Sequence, residues 1–402
     1  MQNARILISG AGIAGQTLAY WLARHGFRPT VVERAPHLPR GGQGVDIRDQ
    51  AVEVAERMGI LSRARAAATD TAGLRYVNAA GHEVARVDMR RIQRRFNSAD
   101  VELLRGDLVR ILHDAASGEA EYLFGDSITA LHQDPDGVTV DFDHTATRRF
   151  DLVIGADGLH SVVRRLAFGP ESDFVRHMGH YFAFADADPS LGPDTWMTMF
   201  NTPGRMAGIY RSGTSPEAKA YFIFRSPELP VDHRDPAAVH RVLTERFAPE
   251  TGWHVPQLLA GALADPDLYF DALAQVHMPS WSTGRIALIG DAAYCASPAS
   301  GAGAELSFLG AYHLAGALAT ATGNHHTAFP HYEQALRPLA ETKQKIGPNV
   351  RLMVPKSTLG ITLRNTIARL PLLESTTGLG RIMSPKTTTP LHNYEHPNPT
   401  RC

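Results

Sequence analysis

The chain has 402 residues, too many for one ordinary domain and enough to bury two cores. Hydrophobic residues make up 44% and charged residues 20%, the proportions of a soluble globular protein. Lys and Arg number 40 against 41 Asp and Glu, so neither nucleic-acid steering nor a polybasic membrane face is expected.

Cys295 and Cys402 stand far apart, which argues against a structural disulfide and for a reducing, cytoplasmic setting. Arg5-Ile-Leu-Ile-Ser9 leads directly into a glycine motif, unlike a secretory signal. No apolar run reaches the ~20 residues needed to span a bilayer. The 19 histidines lack His-Glu-x-x-His or clustered ligand spacing, so no metal site is expected.

Ile6 to Ser9 reads as a buried strand followed by Gly10-Ala11-Gly12-Ile13-Ala14-Gly15. Gln16 to His25 has helical spacing and stops at Gly26, and Thr30 to Glu33 is a second strand ending on an acid. This strand–turn–helix–strand setting lifts Gly-x-Gly-x-x-Gly above chance as a dinucleotide cradle. Gly10 permits the tight turn, Gly12 lets amides approach a pyrophosphate at the positive helix end, and Gly15 lets helix and strand pack closely. Glu33 lies where an acid accepts hydrogen bonds from an adenosine ribose. The motif alone does not separate NAD from FAD. Arg34 and the cluster Arg40-Gly41-Gly42-Gln43-Gly44-Val45-Asp46 follow, read either as backbone pressed against a ligand or as a plain loop.

Val101 to Arg105 reads as a strand leading into a helix from Gly106 to Ala115, with Arg105 at the junction. Phe150 to Gly155 is an apolar strand, and Ala156-Asp157-Gly158 closes it ahead of Arg164. An acid at the carboxyl end of a buried parallel strand is where a doubly wound sheet places its ligands. From about Arg176 to Met278 the pattern becomes strand-like: 180–185, 195–200, 206–211, 220–225 and 268–277, with helices near 237–247 and 255–264. Residues 73–87 suggest a further hairpin of this antiparallel sheet. Ile286 to Ile289 then repeats the strand-plus-acid pattern at Gly290-Asp291, and Ser300-Gly301-Ala302-Gly303-Ala304 opens a helix to about Ala321. Amides exposed there would stabilise negative charge on a reduced ring.

Gly10-x-Gly12-x-x-Gly15 with Glu33, Gly155-Ala156-Asp157-Gly158 with Arg164, Arg105-Gly-Asp-Leu, and Gly290-Asp291-Ala292-Ala293 with Pro298 together resemble the class A aromatic hydroxylases of the p-hydroxybenzoate hydroxylase family. The match runs over most of the chain in the family's order. Gly-Gly-x-x-x-Asp46 looks like the family's tetracycline-inactivating and polyketide-tailoring branch, concerned with antibiotic biosynthesis or modification. The resemblance implies an α/β fold: a Rossmann-like (GR2-type) FAD-binding domain, an inserted antiparallel-sheet substrate domain and a C-terminal bracing helix. The expected division is 1–72, 98–175 and 279–330 for FAD, 73–97 and 176–278 for substrate, and 331–402 for a helical segment and tail. The apolar positions Leu359, Leu363, Ile367 and Leu370 are expected to supply that helix's packed face, with a membrane-surface helix as the rival reading.

By that resemblance FAD is bound non-covalently by Gly10, Gly12, Ala14, Gly15, Glu33, Arg34, Arg40, Asp46, Arg105, Asp157, Gly290, Asp291, Pro298, Gly301, Gly303 and Ala304. NADPH or NADH is the reductant, O2 the oxidant, and a small aromatic or polyketide-like molecule is hydroxylated. The flavin carries the chemistry, so no side chain is nominated as nucleophile; Asp46 and Arg48 are the catalytic candidates. Phe184, Arg205, Phe222 and Phe224 are the substrate candidates. Tyr294 and Glu305 depart from the family's habit, and Glu305 would add negative charge beside the flavin if it faced it. Alternatives sharing the motifs are a Baeyer–Villiger or epoxidising enzyme, and a flavin oxidase or dehydrogenase; a non-enzymatic dinucleotide-binding protein is disfavoured by three surviving cofactor segments. Partners are confined to small molecules, with the chain a monomer or homodimer.

Overall fold

The computed structural model describes residues 3–39, 42–91, 99–193, 195–211, 218–345, 352–369 and 390–394. Its first layer is a six-stranded sheet ordered Ser282–Thr283, Ile286–Leu288, Leu152–Gly155, Arg5–Ser9, Arg28–Glu33, Glu121–Phe124. Every neighbouring pair is parallel except the first. Ile6, Leu7, Ile8, Leu152, Val153 and Ile154 are fully buried, as strands covered on both faces must be. Helices Ile13–Arg24 and Gly303–Thr320 pack against each other, and Arg105–Ala116 packs against the first. The strand Val101–Leu104 does not join this sheet; it pairs antiparallel with Gly44–Ile47 in a separate ribbon.

The second layer has seven strands ordered Tyr269–Val276, Val175–Ala187, Ala218–Arg225, Arg205–Arg211, Trp196–Thr202, Gly73–Val77, Glu83–Asp88. Its ladders are antiparallel except where Trp196–Thr202 runs parallel to Gly73–Val77, so the sheet expected to be antiparallel is mixed. Alternation divides its side chains between two cores. Tyr181, Ala207, Ile209, Ala220, Phe222 and Phe224 pack under helices Pro236–Phe247 and Val255–Ala264. Tyr76, Phe182, Met199, Met206, Ile223 and Leu273 form the other face, against which Ala299 of the first layer packs.

Helix His325–Gln344 braces the layers. It packs on Gly303–Thr320, and at its end the Gln344 side chain donates to the Val276 carbonyl (2.7 Å) while Gln275 donates to the Gln344 carbonyl (2.7 Å). Helix Thr358–Ala368 forms where the periodicity predicts it, but the expected face is not the buried one. Leu359, Leu363 and Ile367 are 79%, 58% and 41% exposed, whereas Arg364 is buried. The Arg364 guanidinium lies 3.8 Å from the centre of the Tyr76 ring and donates to Asn201 Oδ1 at 3.0 Å. The cation–π contact and the amide offset the burial of its charge. Leu370 lies outside the described residues. No helix among the described residues is long and apolar enough to cross a membrane.

Candidate active site between the two sheets

Ser9 and Gly155 are adjacent in register, so the glycine motifs that follow both strands open at one end of the sheet. Gly10 takes φ +103°, and a Cβ there would lie 2.6 Å from the Ala156 carbonyl oxygen; one at Gly15 would collide with the Gly10 carbonyl. Only glycine permits this crossing of backbones. Helix Ile13–Arg24 starts without a side-chain cap. Glu33 ties the turn together by accepting from the Ala11 and Ala35 amides (2.8 and 2.9 Å). Arg105 projects to within 4.0 Å of a Cβ built on Gly12, while Arg34 is exposed past the end of its strand. Arg40 lies outside the described residues.

Asp157 accepts from Ser161 Oγ (2.5 Å), the Val162 and Val163 amides (2.9 and 3.1 Å) and Ser9 Oγ (3.2 Å). It therefore caps the helix after the second motif and stitches it to the first; burial raises its pKa despite these donors. Arg164 is fully buried, donating to the Ala292 carbonyl at 3.0 Å and pairing with Glu171 at 3.3 Å, so it joins the second motif to the third. Gly290 has φ +62° with Ala14 packed against it, and Asp291 is exposed at the start of the next short helix. Surrounding protein raises the Asp291 carboxyl, with Cys295 and Arg105 opposing.

Arg48 and the Pro298–Ser300 turn form the third side. Arg48 holds Asp46 at 2.7 Å, and its Nη1 would lie 3.3 Å from a Cβ on Gly301 (φ +64°). Pro298 and Gly301 are exposed, Ala304 is buried, and Gly303 faces open space. Glu305 turns away: it is 1% exposed and pairs with Lys343 Nζ at 2.7 Å, itself 3.7 Å from Asp49. Its charge is thus compensated from helix His325–Gln344. Tyr294 also points inward, packed against Gly310 and 3.2 Å from the Tyr332 hydroxyl. Both departures from the family's habit serve helix packing.

The substrate candidates divide. Phe222 and Phe224 are fully buried against Phe247, and Arg205 pairs with Glu250 at 2.6 Å. All three belong to the helix-covered face and are removed from the site. Phe184 lies on the other face, 4.6 Å from the Tyr221 ring and 6.3 Å from the Tyr269 ring. Tyr269 is within electrostatic reach of Arg105 and Asp291, and Tyr221 of Tyr210 and Glu102, which sets this aromatic wall against the glycine motifs. Sequence reasoning missed Tyr221, Tyr269, Asp271 and Glu102. The alternation Ala220-Tyr221-Phe222-Ile223-Phe224 held the signal, because only one phase of it can lie under the helices. Asp271 accepts from Tyr269 at 2.9 Å and meets His160 at 3.2 Å, and His160 reaches Glu171 at 2.9 Å.

A flavin dinucleotide fits this donor set. The cradle is uncapped, Gly303 has open space before it, and two buried polar atoms beside the Pro298–Ser300 turn, Arg48 Nε and Ser297 Oγ, have no partner. Among the described residues no group of three or more His, Cys, Asp or Glu could hold a metal. Residues 3–342 match the family described as FAD binding domain. A flavin-dependent monooxygenase of Legionella longbeachae is 38% identical over 347 residues, 86% of this chain and 88% of that protein. Monooxygenase CTB7 of Cercospora beticola is 32% identical over 416 residues, 95% of this chain and 94% of that one. The crystal structure of tetracycline destructase Tet(51) superposes with a TM-score of 0.81 at 36% identity, covering 92% of this chain and 96% of that one. The chain belongs to the FAD-binding-domain family and is an FAD-dependent class A flavoprotein monooxygenase.

Proposed function

We propose that the enzyme uses NADPH or NADH and O2 to hydroxylate a polycyclic phenolic substrate of the polyketide kind, as a monomer or homodimer in the cytoplasm. The observation that carries this reading is the aromatic wall of Phe184, Tyr221 and Tyr269, within electrostatic reach of Arg105, Asp291 and Glu102. Flat rings of that kind offer stacking area to a fused-ring substrate. The likeness to the tetracycline destructase Tet(51) supports the same class.

Bound FAD would supply the hydride-accepting and oxygen-transferring chemistry. The chain's own residues bind, orient and exclude water. The amides of the Gly10–Gly15 turn and Arg105 take the pyrophosphate, Glu33 the adenosine side, and Asp157 holds the second motif in place. Asp291 takes the ribityl hydroxyls, and the Gly301–Ala304 amides stabilise charge on the ring system. Arg48 lies between the Gly301 turn and Asp46, where it would face the ring system. The discontinuous FAD domain (1–72, 98–175, 279–330) and the substrate domain (73–97, 176–278) would then meet at the reacting atoms.

Asp291→Ala tests the cofactor assignment: the purified variant should lose its visible flavin band, and a fully flavinated variant would sink it. Mixing holoenzyme anaerobically with NADPH should bleach the flavin, faster in the presence of a fused-ring phenol. Oxygen-18 from O2 should appear in the product; its absence would mark an oxidase instead.

A further inference from the structure

Asp46 and Glu102 stand directly opposite one another in the ribbon of Gly44–Ile47 and Val101–Leu104. Residues so paired project from the same face, which sets two carboxyl groups side by side where like charges repel. Burial and then Asp46 raise the pKa of Glu102, and burial raises Asp46 against the pull of Arg48. Two neighbouring carboxyls in this position hold a proton between them more readily than two separate charges.

The pair has one outlet on each side. Outward, Glu102 Oε1 accepts from Thr71 Oγ1 at 3.1 Å, which is 2.9 Å from the Tyr210 hydroxyl and 3.2 Å from Thr69 Oγ1. Here a cavity of about 300 Å³ opens, lined by Arg65, Thr69, Thr71, Asp100 and Glu102 among others. Inward, Asp46 meets Arg48 at 2.7 Å, and Arg48 reaches the Gly301 turn. Among the described residues, the charged and titratable groups facing the pair are therefore Arg48 from its own segment, Asp100 and Arg65 at the cavity, and Tyr210 and Tyr221 from the seven-stranded sheet.

The reaction makes a demand that this arrangement meets. Substrate C–H, O2, NADPH and one proton give substrate C–OH, NADP+ and water. Without substrate, O2, NADPH and one proton give NADP+ and hydrogen peroxide. Either way one solvent proton is consumed in a cleft that works by excluding bulk water. Resting on the flavin site proposed above, we propose that Glu102 and Asp46 are a two-carboxyl relay that carries this proton from the cavity at Thr71 to the Arg48 side of the cleft. A carboxyl O–H bond on Glu102 breaks as one on Asp46 forms, directly or through one water. Asp46 then gives the proton, by way of a water beside Arg48, to the oxygen that leaves as water or as hydrogen peroxide, and Glu102 takes another from water in the cavity. The pair ends each cycle as it began.

The test uses FAD-loaded enzyme carrying Glu102→Gln or Glu102→Ala, with NADPH and O2 and no substrate. Infrared spectra of wild type near neutral pH should show a protonated-carboxyl band that E102Q loses. NADPH oxidation by E102A at alkaline pH, where protons are scarce, should fall on the order of tenfold or more. Added formate, small enough for the cavity, should restore most of that rate in E102A, a rescue that a purely structural role would not produce. An unchanged band in E102Q, a wild-type alkaline rate in E102A, or no response to formate would each overturn the relay. Failure of the flavin reading is told apart because wild type itself would then take up no FAD, whatever its infrared band shows.

Discussion

His160 shows how one side chain can report on the junction between the layers. Burial disfavours its charged form, but Asp271 and Glu171 outweigh that and hold it up at about 9. The stacked His233 ring, 3.9 Å away, is pushed the other way by burial and by His160. A histidine raised from its unfolded value near 6.5 contributes stability in full below that pH and loses it as pH rises through 9. Urea unfolding should therefore show wild type losing about 3 kcal/mol more than His160→Gln across that window. Equal slopes for the two proteins would mean that the ring is not charged in the folded state. The sequence placed His160 two residues past Asp157-Gly158, but its partner Asp271 lies 111 residues on in another sheet, and no spacing rule connects them.

At the scale of elements, the packing of helix Gly303–Thr320 on His325–Gln344 depends on Lys343, the cation within 2.7 Å of Glu305. Lys343→Met would leave a carboxylate almost without solvent, and removing one partner of a buried pair costs about 3–5 kcal/mol. Lys343→Met with Glu305→Gln should recover most of that loss in urea unfolding; if the double variant is no better than the single one, the pair is not the cause. Most elements were legible from periodicity because core burial imposes it: the strand at 30–33 (observed as Arg28–Glu33), the helix at 255–264 and the hairpin from 73 were all readable. Two readings failed for physical reasons. Period two separates the faces of Ala218–Arg225 without saying which one is covered by helices, so it does not tell Phe222 and Phe224 from pocket residues. Helical spacing of leucines in Thr358–Ala368 suggested the packed side, yet a guanidinium on an aromatic ring holds that helix down.

For the whole molecule, the glycine motifs and their acids carried the family because each serves a covalently fixed ligand shape, which demands a fixed set of backbone approaches. The aromatic wall was not legible in the same way, since Phe184, Tyr221 and Tyr269 meet only after three strands have paired. A cofactor that binds the folded chain alone stabilises it by mass action. FAD at a hundredfold over its dissociation constant should add about 2.7 kcal/mol to unfolding, seen as a higher Tm in thermal scans. A Tm that FAD leaves unmoved would argue that the cradle does not retain it.

The order of the six-stranded sheet also has a consequence for how the protein comes into being. Arg5–Ser9 is flanked by Arg28–Glu33 on one side, but its other neighbour is Leu152–Gly155, whose own neighbour is Ile286–Leu288. During synthesis Leu152–Gly155 must wait with one edge unpaired while five strands of the second sheet are made, before Ile286–Leu288 can join it. Such distant pairings make for slow folding and a long exposure of apolar edges to chaperones. The dinucleotide cradle contains some of the earliest residues off the ribosome, and yet it cannot close until Ala156 and then Gly290 have been made.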